Sequence, residues 1–316
     1  NWSVALPRLK PSDKQKPLPF RVVEKSRNIH IVEMEASARG GWEQWYLLRS
    51  DAHHDNPHSD HDLERKHLRE CEQRNAGWID FGDAFCAMAG KADPRRAKHG
   101  VTRDEHAIAN DYFDSLVRHA ADFYAPHARR CVLLCRGNHE TGVLKNQETD
   151  LTERLAERLS ERLGSPVMTG GYGGFIQFRT KVANTVHTLT MAYFHGSGGG
   201  GMMTFDTLRV RRQASFQPDA DVLVCGHVHE RWWLQTARYR LRTNNGMYRV
   251  TVEPQHHVRT GTYKQEHGDS FGGWAVEKGM PPKPIGAIWM RLYMKHIEKV
   301  NGISIWRLEC EFHEAS

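Results

Sequence analysis

Short apolar runs alternate with amphipathic stretches from Asn28 onward, and this alternation sets the expected order of elements. Strands are expected at Ile29–Met34, Trp45–Arg49, Gly77–Phe81, Cys131–Leu134, Thr188–Phe194 and Asp221–Cys225. Each is short, rich in β-branched, aromatic or Leu residues, and several run into Gly, Asp, Asn or His. Two helices stand out. Over Arg103–Tyr124, Ile108, Tyr112, Leu116, Ala120 and Phe123 recur on one side. Over Asp150–Leu163, Leu151, Leu155, Leu159 and Leu163 recur every fourth residue, with Gly164 as a stop. Both read as core-facing amphipathic helices.

After His229 the pattern becomes strand-rich. Arg238–Leu241, Met247–Val252, Ile285–Tyr293 and Ile303–Cys310 are separated by Asn, Gly and Pro turns, which favours antiparallel pairing. Strand–helix alternation followed by such a tail predicts a layered α/β fold. Residues 1–27, with four prolines and little periodicity, read as an extended arm. Residues 28–316 read as a single domain, its C-terminal strands from about 236 completing one sheet.

Composition narrows the class. Of 316 residues, 39% are apolar, enough for a sizeable core, and no apolar run approaches the ~20 residues of a membrane helix. No secretory pattern occurs at Asn1–Lys10. Six cysteines lack CxxC pairs, so reduced thiols in the cytoplasm are expected. The net charge is +6. From Arg231 to Val300 twelve Lys/Arg face five Asp/Glu, an excess of seven, so the remainder of the chain is near neutral. Basic grooves with aromatic platforms suit nucleic acid, and Arg231, Trp232, Trp233, Arg238, Tyr239, Arg240, Arg242, Tyr248 and Arg249 fall in this tail. The same residues equally suit a second-sheet core with a wet arginine face.

The chemistry lies at strand ends. Trp45–Arg49 runs into Ser50-Asp51-Ala52-His53-His54-Asp55, and Gly77–Phe81 into Gly82-Asp83. Cys131–Leu134 leads to Gly137-Asn138-His139-Glu140, Thr188–Phe194 to His195-Gly196, and Asp221–Cys225 to Gly226-His227-Val228-His229. Each fragment alone is an ordinary turn. Five loops delivering nitrogen or oxygen donors at the carboxyl ends of strands, where α/β sheets gather ligands, form a strong joint signal.

In this order the motifs resemble the calcineurin-like metallophosphoesterases, in the texture met in bacteriophage and prophage members, from about Trp45 to His229, with a looser likeness over Arg259 to Gly286. The resemblance implies a four-layered αββα sandwich with two mixed central sheets. It implies two divalent cations, one held by Asp51, His53, Asp83 and His229, the other by Asp83, Asn138, His195 and His227. Asp83 would bridge, offering an oxygen to each. His139 would be no ligand but would assist the leaving oxygen. Position 86, usually acidic in the family, is Cys86, which bears on how the Asp83 loop is supported.

Two such cations suit in-line displacement at phosphorus, a hydroxide between them being the nucleophile. Mixed imidazole, carboxylate and amide donors suit Mn, Fe, Zn or Ni better than Ca, and Mn is the expected assay ion. The expected function is a metal-dependent phosphodiesterase or nuclease acting on DNA or RNA. A phosphomonoesterase for a nucleotide, phosphoprotein or nucleic-acid end is the alternative, and a non-catalytic nucleic-acid binder is the third possibility. Candidate substrate contacts are His54, Gly198 in the run Gly198–Gly201, Arg211 and Arg231. His58 and His61 read as surface residues.

Overall fold

The computed structural model describes residues 17–88, 102–107, 111–198, 204, 206–244, 247–267, 274–277, 279–300 and 303–315. Its strands are β1 (Phe20–Ser26), β2 (Ile29–Ala36), β3 (Glu43–Arg49), β4 (Gly77–Asp80), β5 (Cys131–Leu134), β6 (Gly173–Val182), β7 (Thr185–Phe194), β8 (Val222–Cys225), β9 (Arg231–Asn244), β10 (Met247–Thr260), β11 (Ala287–Val300) and β12 (Ile303–Ala315). The helices are α1 (His61–Gln73), α2 (Asp104–Ala107), α3 (Tyr112–Tyr124), α4 (Asn138–Gln147), α5 (Leu151–Leu163), α6 (Thr207–Phe216) and α7 (Trp274–Glu277).

Two mixed sheets result. The seven-stranded sheet runs β1-β2-β6-β7-β8-β10-β9 and the five-stranded sheet runs β12-β11-β3-β4-β5. In the first, β2–β6, β7–β8 and β8–β10 are parallel; in the second, β3–β4 and β4–β5 are parallel. The remaining pairs are antiparallel.

Three apolar clusters define the layers. Val32, Ile176, Phe178, Met191 and Val224 from one sheet meet Tyr46, Leu48, Ile79, Val132 and Met290 from the other, and all are buried between them. The outer face of the five-stranded sheet, through Leu47, Trp78 and Trp289, receives Leu68 of α1, Leu116 and Val117 of α3, and Leu151, Leu155 and Leu159 of α5. On the far side, Ala214 of α6 packs on Ala192 and Leu223. This is the four-layered αββα sandwich. Burying a Leu side chain fully contributes about 1.5–3 kcal/mol, so α5 is held by its four-residue apolar stripe. Asp150 caps α5 by accepting from Glu153 N at 3.3 Å, and Gly164 closes it with φ of 72°.

Several expectations need correcting. Within the segment read as an arm, Phe20–Ser26 is the edge strand β1, paired antiparallel to β2 with Phe20 buried in the inter-sheet core. Residues 1–16 lie outside the described residues. The C-terminal strands do not complete one sheet but divide, β9–β10 joining the first and β11–β12 the second. The long helix begins with the short α2, then α3; residues 108–110 lie outside the described residues. Among the described residues no helix is long and apolar enough to cross a membrane.

Candidate metal centre

The parallel strands β3, β4, β5, β7 and β8 all end toward one region, and backbone bonds stitch the loops that follow them. Asp51 N donates to Gly82 O (2.8 Å), His53 N to Asp83 O (3.0 Å) and Gly226 N to His195 O (2.8 Å). The two sheets are joined there by the His195 side chain, whose Nδ1 donates to Phe81 O at 2.9 Å. Close packing makes glycine necessary at two points. A Cβ on Gly137 would strike the Asp83 carboxylate, and one on Gly226 would lie 2.7 Å from Asp51 Oδ2.

Seven donors converge in two groups. Asp51, His53 and His229 form one, with His53 Nε2 3.1 Å from His229 Nε2 and His229 Nε2 3.5 Å from Asp51 Oδ1. Asp83, His195 and His227 form the other, with His195 Nε2 3.1 Å from Asp83 Oδ2. Asn138 Oδ1 completes it, 3.1 Å from His195 Nε2 and 2.6 Å from His227 Nδ1.

Backbone strain concentrates here. Of the ten non-glycine residues with positive φ among the described residues, five are Asp51, His53, Asp83, His227 and His229. Left-handed backbone is costly for such residues and persists only where the surroundings enforce it, as functional sites do.

The donor chemistry fits divalent cations. Asp51 Oδ1 is buried and has no hydrogen-bond partner, while Oδ2 accepts from His227 N (2.9 Å) and Ser50 Oγ. Burial alone would raise both carboxyls. The facing His229 for Asp51, and His195 for Asp83, outweigh it; both are held below their ordinary range, Asp83 well below. Burial disfavours a charged His195, yet Asp83 and Asp51 lift it to about 10: a proton there does what a cation would do. Burial and the neighbouring imidazoles push His53 well down, leaving it neutral as a ligand must be.

Supporting contacts set the tautomers. His195 Nδ1 is committed to Phe81 O, which turns Nε2 inward. His53 Nδ1 lies 3.2 Å from Cys86 Sγ, so the cysteine orients this imidazole and leaves Nε2 to the centre. The loop around Asp83 has two other carboxylates beneath it. Glu140 accepts from Asp83 N (3.1 Å), Phe85 N (2.9 Å) and Gly137 N (2.8 Å). Asp55 accepts from Cys86 N (2.6 Å) and Ala87 N (3.0 Å). Burial and then Asp83 push Glu140 up to about 8, against the pull of its backbone donors.

The two oxygens of Asp83 have different neighbours. Its Oδ1 accepts from His139 N at 2.9 Å, so Oδ2 is the oxygen turned to the donors. His139 itself stands beside the cluster, Nε2 3.9 Å from Asp83 Oδ2, with Nδ1 donating to Cys86 O at 2.6 Å.

The expected substrate contacts fare differently. His54 is corrected: it is buried, stacked on His61 at 4.1 Å, with Nδ1 3.8 Å from Glu64. Arg231 is corrected too, its guanidinium being spent on Ile285 O (2.7 Å) and Ala315 O (2.8 Å). Arg211 is exposed on α6; Gly198 is exposed at φ of 68°, beside Arg209, and residues 199–201 lie outside the described residues. His61 is half-buried, not a surface residue.

Two lysines escaped the sequence reading. Lys283 Nζ donates to Val228 O at 2.6 Å, between His227 and His229, and lies 3.4 Å from Glu230. Lys264, paired with Glu266 at 2.5 Å, acts electrostatically on His53. Neither carries a spacing signal, since chain reversal after β10 alone brings them here. Thr262 Oγ1 donates to Asp51 O at 2.7 Å from the same segment.

No protein-family profile and no curated protein matches the chain. Solved structures similar to it include Vps29 from Chaetomium thermophilum, at 10% identity and a TM-score of 0.31, covering 86% of this chain and 97% of that one. A conserved protein of Streptococcus pneumoniae, described as a predicted phosphoesterase, gives 10%, 0.29, 85% and 99%. Entamoeba histolytica Vps29 complexed with zinc gives 12%, 0.33, 86% and 100%.

Proposed function

We propose that the chain is a dinuclear-metal-dependent phosphoesterase. The observation that carries this reading is the convergence of two buried carboxylates, four imidazoles and one amide oxygen from five strand-end loops, with buried Asp51 Oδ1 faced only by His229 Nε2 at 3.5 Å. When bound, a pair of divalent cations supplies Lewis acidity toward phosphoryl oxygens and eases deprotonation of water. The chain's own groups do the rest. Asp51 and Asp83 supply negative charge, and the imidazoles supply neutral nitrogen. Lys283 stands beside the His227–His229 turn through Val228 O, its charge shared with Glu230. His139, fixed through Nδ1, exchanges its proton at Nε2, the position suited to a leaving oxygen.

Within this class the reading is a phosphodiesterase acting on nucleic acid, with Mn as the assay ion and Fe, Zn or Ni as substitutes. One observation favours the second reading, a phosphomonoesterase on a nucleotide, phosphoprotein or nucleic-acid end. The arginines of β9–β10 are already paired, Arg238 and Arg240 with Asp221, Arg242 with Glu253 and Arg249 with Glu298. The test is hydrolysis by metal-stripped, Mn-reloaded protein of bis-(p-nitrophenyl) phosphate, p-nitrophenyl phosphate and single-stranded oligonucleotides. The reading expects diester turnover and oligonucleotide cleavage that weakens with salt. Turnover of the model diester with oligonucleotides intact removes nucleic acid as substrate. A faster monoester installs the second reading, and no turnover with any of the four metals overturns the proposal.

A further inference from the structure

The β9–β10 ribbon outruns its sheet. β8 pairs only with His256–Arg259, so the distal half of the ribbon has no β8 partner beside it. There the register places Ala237 against Pro254, Tyr239 against Val252, Leu241 against Val250 and Thr243 against Tyr248. Cross-strand partners share a face, so these eight positions form one face without a charge. The opposite face carries Arg238, Arg240, Arg242, Arg249 and Glu253.

It is the charged face that turns to the body of the protein. Arg238 and Arg240 reach Asp221 before β8, Arg249 pairs with Glu298 on β11, and Arg307 on β12 lies 3.8 Å from Glu253. The apolar face is bare: Tyr239 is 82% exposed, Tyr248 73%, Leu241 67%, and Val250 and Val252 64% each. A half-buried antiparallel ribbon ordinarily does the reverse, apolar side in and charged side out. Two tyrosines and three aliphatic side chains at these exposures offer about 600 Å² of contiguous apolar surface, the upper end for a monomer.

We propose that this face joins two copies of the chain. A nucleic acid, an acidic peptide or an anionic lipid surface needs cations within reach, and none of the eight positions supplies one. An identical apolar face needs nothing else. Two copies in isologous contact bury about 1,200 Å² in all, reaching the range of stable specific interfaces. β9 is also the edge strand of its sheet, which leaves its outer backbone at the rim of that contact.

Sedimentation velocity on the full, metal-loaded chain over a wide concentration range tests this. The expected result is a species of twice the chain mass. Leu241→Glu and, separately, Val250→Glu should each weaken association at least about tenfold, with unchanged circular dichroism and metal content. Should either fail to fold, Tyr239→Ser and Tyr248→Ser on the same face are expected to weaken association in the same direction. A wild-type chain that stays monomeric throughout overturns the proposal, and so does a dimer that folded variants leave untouched.

Discussion

His139 touches the centre in two separable ways. Its backbone N–H holds Asp83 Oδ1, while its ring faces Asp83 Oδ2. His139→Ala keeps the first and loses the second. It should therefore retain metal while turnover falls about 10²–10⁴-fold, as expected for a lost proton-transfer group; elemental analysis beside steady-state kinetics checks both, and unchanged turnover contradicts the role. Cys86 is a positioning residue, acting through His53 Nδ1. Cys86→Ala should weaken metal binding about 10–100-fold and Cys86→Ser should largely restore it, as read by competition with a chelating dye. The ligand residues were legible because each follows a strand directly. His54 and Arg231 were misread because sequence adjacency to a ligand says nothing of direction: the first turns toward Glu64 and the second toward the end of β12.

Among elements, β3, β4, α1 and α3 meet at one buried guanidinium. Arg49 binds Glu64 at 2.6 Å and Asp80 at 2.9 Å, with Tyr124 Oη 2.8 Å away. One cation serves two carboxylates, and they divide unequally. Burial works against an ionised Glu64, but Arg49 prevails and holds it at about 2; burial wins at Asp80 and lifts it to about 6. The signs oppose. Glu64's contribution is complete above its ordinary 4.5 and is lost as pH falls toward about 2. The folded chain binds a proton on Asp80 more tightly than the unfolded one, so that residue's effect on stability declines as pH climbs from 3.8 through about 6. In urea titrations of metal-free protein, Asp80→Asn should remove this one declining contribution, so that its stability rises relative to wild type as pH climbs between these values. An unchanged slope would contradict the assignment. Helix α1 was illegible in the sequence for the same reason: Glu64 and His67 occupy buried positions that periodicity expects to be apolar. By contrast, α5 was legible because its cap, stripe and Gly164 all agree.

At the scale of the molecule, two sheets that need not have faced each other are pinned where their strands end. The layered α/β class followed from strand–helix alternation, but the division of the last four strands between both sheets did not, because hairpin pattern carries no information about which edge a hairpin joins. Removal of cations should loosen the pinned end: metal held at 100 to 1,000 times its dissociation constant adds about 2.7–4 kcal/mol, so chelation should lower Tm by roughly 4–6 °C in a chain of this length. Differential scanning calorimetry reads this, and an unchanged Tm would mean the donors hold no metal in the folded chain. The most direct measurement is anomalous diffraction from crystals of the manganese-loaded protein. Two peaks are predicted, one among Asp51, His53 and His229 and the other among Asn138, His195 and His227, with Asp83 between them. A single peak elsewhere, or none at saturating manganese, contradicts the account.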